Sequence, residues 1–383
     1  MATKNPQARL HQQVAAHTGR NFHGQVVLVL QGGGALGAYQ VGVYEAMHEA
    51  GVEPQWVIGT SIGAINGAII AGNPAAKRME KLNAFWSMVQ GRRFDAFAST
   101  WPMLAGALAN AGTYSNGVAG FFSPNPHAAW GMNNPLGVER AAFYSTAPLE
   151  QSLAGLIDFD HINGKDGNGG RLTLGAVNVR TGAMTYFDTR EQALDARHVM
   201  ASGALPPAFP AIRIGRDAYW DGGIYSNTPI EVVLDDKPRR DSLIFSANVW
   251  HPEGPEPETI SQVLARQKDI QYSSRVESHV ARQQQIHRLR HIVRDLAEYI
   301  PDDRKKDPEL AEMLAYGCAT VMHIIPLLAP RVDGEDSTKD IDFSPAGISA
   351  RRRAGYEDAR RQIERAPWTE PCDVLDGVII HDA

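Results

Sequence analysis

The sequence predicts a three-layer α/β/α fold followed by a mainly helical C-terminal extension, and three observations predict it. An unbroken apolar run, Val26 to Leu30, passes directly into three glycines, a helical pattern follows over Ala38 to Ala50, and a second apolar run begins at Gln55. Strand, glycine loop, helix and strand within about 35 residues make a βαβ unit, whose strands lie parallel and whose crossover is right-handed.

Val26 to Leu30 is rich in β-branched residues with no polar alternation, the pattern of a strand buried on both faces, and so a central one. In the helix after it Val41, Tyr44, Ala46 and Met47 recur at helical spacing, and Gly51 supplies the stop. Gln55 to Ile58 is the second strand. Arg171 to Asp188 alternates and turns at Thr181-Gly182, as a hairpin does, and Ile212 to Trp220 repeats the pattern around Gly215. Ser242 to Val249 is a further strand. The proline-rich, charged stretch from His251 to Glu258 then marks a boundary. The expected division is a flexible tail over 1–23, an α/β domain over 24–250 and a mainly helical domain over 258–383.

Two stretches need separate comment. Trp86 to Pro135, with Trp101, Phe121, Phe122 and Trp130, breaks the α/β regularity. It reads either as an excursion covering a site or as a loop bundle packing its own aromatics. Thr259 to Ile300 carries Val276, Val280, Leu289, Ile292, Val293 and Leu296 at helical intervals, as one long amphipathic helix or two. From Arg266 to Arg294 it holds seven Lys or Arg against only Asp269 and Glu277 as acids. That basic face is either simply solvated or meets an anionic surface such as lipid headgroups. A short apolar run, Val321 to Leu328, and a charged helix from Ser349 to Arg365 close the chain.

The composition excludes several classes. With 43% hydrophobic and 21% charged residues in 383, the chain is ordinary globular material. A net charge of -6 gives no global basic field, which disfavours nucleic acid as a partner. Two cysteines, Cys318 and Cys372, with no metal-like spacing fit a reducing compartment, and a cytoplasmic location is expected. Met1 to His23 has no apolar run of the secretory kind. Trp56 to Gly72 is too short and too polar, at Thr60, Ser61 and Asn66, to span a bilayer, so any membrane contact is peripheral. Nothing in the sequence sets an oligomeric state.

The chemistry concentrates in three motifs. Gly59-Thr60-Ser61-Ile62-Gly63 is a G-x-S-x-G sequence between an apolar strand and an Ala-rich helix, the context of a nucleophile elbow. Gly59 and Gly63 let a sharp turn close while Ser61 sits at the helix N-terminus, where the dipole favours developing negative charge. Gly32-Gly33-Gly34 follows the first strand directly, and consecutive unobstructed backbone N–H groups make an anion nest or oxyanion hole. Gly32, Gly34 and Gly37 also match G-x-G-x-x-G, but a dinucleotide site needs an acid ending the second strand. Here Glu53 precedes that strand and Gly59-Thr60-Ser61 ends it.

The third motif is Asp221-Gly222-Gly223, after an alternating strand. A carboxylate within reach of a serine hydroxyl can act as general base without histidine. Read alone, Asp-Gly is a turn in which Asp bonds its own backbone. A Ser-His-acid triad would need a histidine such as His198 or His251, neither of which carries a local signature.

A glycine loop after the first strand, a serine elbow after the second and a later Asp-Gly-Gly together resemble the patatin-like phospholipase family, over about Gln25 to Val249. The segment Ala201 to Pro210 and Asn227-Thr228-Pro229 look like the stretches that flank the family's aspartate. The resemblance implies that Gly32, Gly33 and Gly34 form the oxyanion hole and that Ser61 and Asp221 form a catalytic dyad. It implies an acyl-enzyme route, a lipid or acyl-ester substrate, and no metal or organic cofactor. Where many members carry Arg or Lys, two positions after the third glycine, this chain has Leu36. The C-terminal part looks like the extra domain of some bacterial members. An acyltransferase, a hydrolase of non-phospholipid esters and a catalytically silent lipid-binding protein are the alternatives on the same fold.

Overall fold

The computed structural model describes residues 24–90 and 116–382, apart from residues 166, 168, 274, 275, 333, 334 and 374. The expected tail over 1–23 and Trp101 lie outside the described residues.

The strands are β1 (Gln25–Leu30), β2 (Trp56–Gly59), β3 (Ser123–Pro124), β4 (Tyr144–Ser145), β5 (Arg171–Asn178), β6 (Met184–Asp188), β7 (Ile212–Ile214), β8 (Asp217–Asp221), β9 (Ser242–Asn248), β10 (Met322–Leu328) and β11 (Val378–Ile380). The helices of ten residues or more are α1 (Ala38–Glu49), α2 (Ile62–Ala71), α3 (Ala75–Val89), α4 (Ala147–Leu156), α5 (Ile260–Ser273), α6 (Val276–Glu298) and α7 (Pro345–Arg365).

Nine strands form one sheet in the order β11-β10-β9-β1-β2-β5-β8-β7, with β6 on β5. From β11 through β5 neighbours are parallel; β6 and β8 run antiparallel to β5, and β7 to β8. β3 and β4 pair apart from this sheet. β1 is central, as its unbroken apolar run predicts, and Val27 to Leu30 are fully buried. Its alternate residues enter two cores. Leu28 and Leu30 pack with Tyr39, Tyr44, Ile65 and Ile69 on the side of α1 and α2, whereas Val27 and Val29 pack with Val233, Val280 and Ile324 on the other. Two cores on opposite faces of one sheet are what makes the fold three-layered.

The C-terminal stretch is mainly helical, as expected, but it is not set apart from the sheet. β10 lies parallel against β9 over Met322 to Leu328, and β11 extends that edge. Helix α7 crosses α1 at backbone contact distance, because a Cβ on Gly42 would collide with the Arg352 carbonyl and one on Gly355 with the Tyr39 carbonyl. Arg352 ties the two helices to Glu45 at 2.8 Å. The proline-rich stretch after Val249 is therefore a connection within one layered unit.

Helix α6 also departs from its apolar pattern. Its buried stripe is Val280, Gln283, His287 and His291, while Leu289 and Leu296 are 63% and 58% exposed. Three polar residues can face inward because each finds a partner: Gln283 reaches Asp235 at 2.8 Å, His287 the Leu234 carbonyl at 3.1 Å and His291 the Thr320 carbonyl at 3.0 Å. An apolar periodicity cannot see burial bought by such partners.

Candidate active site

The carboxyl ends of β1, β2 and β9 meet at one cleft, the edge at which open α/β sheets place their ligands. After β2 the chain reverses through Ser61, which adopts φ 57° and ψ -124° and caps α2. A non-glycine residue at positive φ stores strain, and such strain gathers at functional sites. The turn closes only because its flanks lack side chains: a Cβ on Gly59 would meet the Gly63 carbonyl, and one on Gly63 the Leu30 carbonyl. The Ser61 N–H donates to the Ser202 carbonyl at 3.1 Å, which ties the elbow to the helix over Ala196–Ser202.

Asp221 ends β8, with 1% of its surface exposed. The Gly223 N–H donates to its carboxylate at 2.7 Å, and Ser61 lines the same cleft, near enough to pull the carboxyl pKa down. Burial pushes the carboxyl up to about 7, against the lowering pull of the Gly223 N–H and the Ser61 hydroxyl. The aspartate thus bonds its own turn, as Asp-Gly read alone predicts, and shares the cleft with the serine. No histidine lines the cleft among the described residues. His198 instead closes a capping box with Asp195, and the His251 carbonyl is taken by Arg266 at 3.1 Å.

The three loop glycines differ in role. The Gly32 N–H is committed to the Asn227 carbonyl at 3.1 Å, so Gly32 is not a donor to the cleft as the sequence suggested. Its carbonyl accepts from Trp250 Nε1 at 2.7 Å and from Asn227 Nδ2 at 3.1 Å. In a trans peptide the C=O and the following N–H point in opposite directions, so pinning the Gly32 oxygen aims the Gly33 N–H away from Trp250. The Gly33 and Gly34 amides have no acceptor among the described residues. Gln31 holds the loop from behind, donating to Thr228 Oγ1 at 2.7 Å and accepting from the Trp250 N–H at 3.0 Å.

The cleft holds about 240 Å³. One wall is apolar, with Ile65, Phe121, Phe122, Leu205, Phe209 and Phe343. Phe121 and Phe122 belong to the irregular segment, so its described part does cover the site; they pack against Phe209, tilted, at 5.8 and 5.1 Å between centroids. The other wall is polar, with Asn227, Trp250, Lys268, Tyr272 and Asp340. Trp250, Lys268, Tyr272 and Asp340 were not singled out by the sequence. Trp250 was findable, since it follows the strand next to β1 at the end where ligands bind. Lys268 and Asp340 have no local signature. Among the described residues no group of three or more His, Cys, Asp or Glu could hold a metal ion. None of the described helices is long and apolar enough to cross a membrane.

Comparison with known proteins bears on this arrangement. A family model described as patatin-like phospholipase matches residues 28–234, and one described as patatin phospholipase matches residues 270–374. The chain is 44% identical over 62 residues to human patatin-like phospholipase domain-containing protein 6, covering 16% of this chain and 4% of that protein. It is 59% identical over 46 residues to lysophospholipase nte1 of Aspergillus terreus, covering 12% of this chain and 3% of that one. The chain thus matches only a small fraction of the length of these curated relatives. The crystal structure of VipD from Legionella pneumophila aligns over 94% of this chain and 72% of its own, at 15% identity and a TM-score of 0.40.

Proposed function

Because the chain belongs to the patatin-like phospholipase family, whose model spans more than half of it, we propose that it is a serine lipid-acyl hydrolase working through Ser61 and Asp221. The observation that carries the reading is Ser61, held at positive φ at the tip of its turn, sharing one cleft with a buried carboxylate whose pKa burial raises to about 7. Such a group is about half ionised at neutral pH, so it can both take the serine proton and return it.

Ser61 Oγ attacks the ester carbonyl carbon while its proton passes to Asp221. The carbonyl oxygen becomes an oxyanion held by the Gly33 and Gly34 amides, with the N-terminus of α2 adding its dipole. Collapse breaks the bond to the alkoxy oxygen, which leaves as an alcohol with the proton from Asp221. Water then attacks the acyl-enzyme with Asp221 again as base, releasing the fatty acid and restoring Ser61. The apolar wall suits an acyl chain. The aromatics exclude water and strengthen the polar contacts at the reacting centre.

The enzyme is also proposed to work at a membrane surface, through the exposed side of its C-terminal helices. Leu289, Leu296, Tyr299, Met313 and Tyr316 are all more than half exposed. Residues of the 313–318 stretch lie beside those of 290–294, where the Cys318 N–H donates to the Arg290 carbonyl at 3.3 Å. Exposed Arg282 and Arg288 stand on the same helix as Leu289 and Leu296. Apolar residues beside arginines are the combination that seats a helix at an anionic interface.

The test is turnover. The purified chain should release fatty acid from p-nitrophenyl esters of graded length and from defined phospholipids, and Ser61→Ala should reduce this to background. Turnover retained in Ser61→Ala removes the serine from the mechanism. Transfer of the acyl group to an added alcohol in preference to water makes the enzyme a transferase on the same acyl-enzyme.

A further inference from the structure

Among the described residues, three charged ones line the cleft: Asp221, Lys268 and Asp340. The last two form an ion pair in which Lys268 Nζ meets the two Asp340 carboxylate oxygens at 2.7 and 3.0 Å and the Ser337 carbonyl at 2.8 Å. Both come from the C-terminal part of the chain, Lys268 on α5 and Asp340 on a short turn over 339–341. Their side chains remain 33% and 21% exposed. The adjacent residues make a second pair of opposite polarity, Asp269 with Lys339 at 2.7 Å, each only 6–7% exposed. The Lys339 ammonium also lies 5.1 Å from the centre of the Trp250 ring.

These two pairs have different energetics. The inner pair is desolvated, and buried pairs contribute less to stability than to fixing a register. Here it locks Lys268-Asp269 against Lys339-Asp340, so that the outer pair must face the cleft. The outer pair sits beside the glycine loop, since a Cβ on Gly34 would run into the Asp340 carbonyl. Tyr272 lines the same cleft as Asp221 and Asp340, and burial, then these two carboxylates, push its hydroxyl up to about 12. It therefore stays a neutral hydrogen-bond donor. The loop itself brings no cation, because Leu36 is 4% exposed and packed into the core.

We propose that Lys268 and Asp340 form a headgroup subsite that selects a phosphodiester carrying an ammonium group over a net-anionic phosphodiester. This deepens the hydrolase reading and rests on it. A cation and a carboxylate held side by side can exchange partners with such a ligand: the phosphate takes Lys268 and the ammonium takes Asp340. Every charge in the half-buried cleft then stays paired. A phosphodiester with a neutral alcohol would draw Lys268 from Asp340 and leave that carboxylate uncompensated, which is discrimination by an unpaired charge. The half-buried Tyr272 ring in the same wall adds an aromatic surface of the kind on which alkylated ammonium groups rest.

Direct binding tests this independently of turnover. Monomeric short-chain diether analogues of phosphocholine and phosphoglycerol lipids, which cannot be hydrolysed, are titrated calorimetrically into the full chain and into Lys268→Met, Lys268→Arg and Asp340→Asn. Wild type should bind the phosphocholine analogue at least tenfold tighter than the phosphoglycerol one. Lys268→Met should weaken the phosphocholine analogue tenfold or more, and Lys268→Arg should restore most of that loss. Asp340→Asn should cancel or invert the preference. Glycerophosphocholine, without alkyl tails, should bind far more weakly than the diether, which separates a lipid headgroup from a free phosphodiester. Equal binding of both diethers by wild type, or a preference unmoved by either substitution, overturns the subsite. The dyad stands or falls by ester turnover alone.

Discussion

Trp250 and Gly32 are joined by a hydrogen bond of 2.7 Å from the indole Nε1 to the peptide oxygen, and that contact sets the aim of the Gly33 amide. Trp250→Phe keeps an aromatic ring in the wall but leaves Asn227 alone to hold the peptide. Full loss of one oxyanion donor typically costs 10²–10³ in kcat. A loosened donor should cost less, about tenfold in kcat, with KM little changed. Steady-state kinetics on a soluble ester checks the split; a rise in KM at constant kcat would place Trp250 in substrate binding instead.

Gly33→Val should lower kcat/KM by at least the same factor, for a reason the sequence did not disclose. The new Cβ would lie 2.6 Å from Val249 Cγ2 and 3.2 Å from Trp250 Nε1. The side chain would not plug the oxyanion space; it would push the loop off its anchors. Trp250→Phe combined with Gly33→Val should then lose less than the product of the two single effects, because both act on one peptide.

In the proposed mechanism the carboxylate form of Asp221 is the base, so activity must follow its ionisation. With its pKa raised to about 7, kcat/KM on a neutral ester should rise about tenfold per pH unit below that value and level off above it. A profile whose midpoint lies near 4, the range of an ordinary carboxyl, would contradict the buried base.

The same shift has a stability consequence. Between the unfolded value near 4 and the folded value near 7 the native state holds a proton that the unfolded chain has lost, so Asp221 weakens the fold as pH rises through this window. Above it the cost levels off, on the order of 4 kcal/mol for a pKa raised from about 4 to about 7. Asp221→Asn should therefore raise the melting temperature at pH 8 and have little effect at pH 4, while activity is lost. Scanning calorimetry at the two pH values is the check.

Reversing charge at Arg282 and Arg288 should weaken cosedimentation with anionic vesicles and have no effect on hydrolysis of a soluble short-chain ester. Each basic residue near such a surface contributes about 1 kcal/mol and is screened by salt. Arg290 is a poorer target than the sequence suggested, because it is half-buried and its guanidinium is held below its usual range by burial and by Arg239. Leu289→Ser tests the apolar share of the contact.

What the sequence made legible follows from range. Ser61, its flanking glycines and the glycine loop each declare themselves within a few residues, because a tight turn after a buried strand restricts composition locally. Asp221 needed the family's order of motifs, since Asp-Gly alone is an ordinary turn. Trp250 acts through a bond to Gly32, 218 positions away, and Lys268 through a carboxylate 72 positions away. Neither relationship leaves a local trace. The run Val321 to Leu328 was visible as apolar, but only pairing with β9 makes it part of the central sheet. Helix α6 misled because its inward face is polar, each of Gln283, His287 and His291 reaching one carbonyl or carboxylate on another element.

The most direct measurement is the intact mass of the protein after reaction with an alkyl fluorophosphonate, followed by peptide mapping. Ser61 in this turn, with Asp221 as base, should take up one phosphonyl group with loss of fluoride, and Ser61→Ala should take up none. A single adduct on another residue, or equal labelling of Ser61→Ala, would contradict the assignment of Ser61 as the nucleophile.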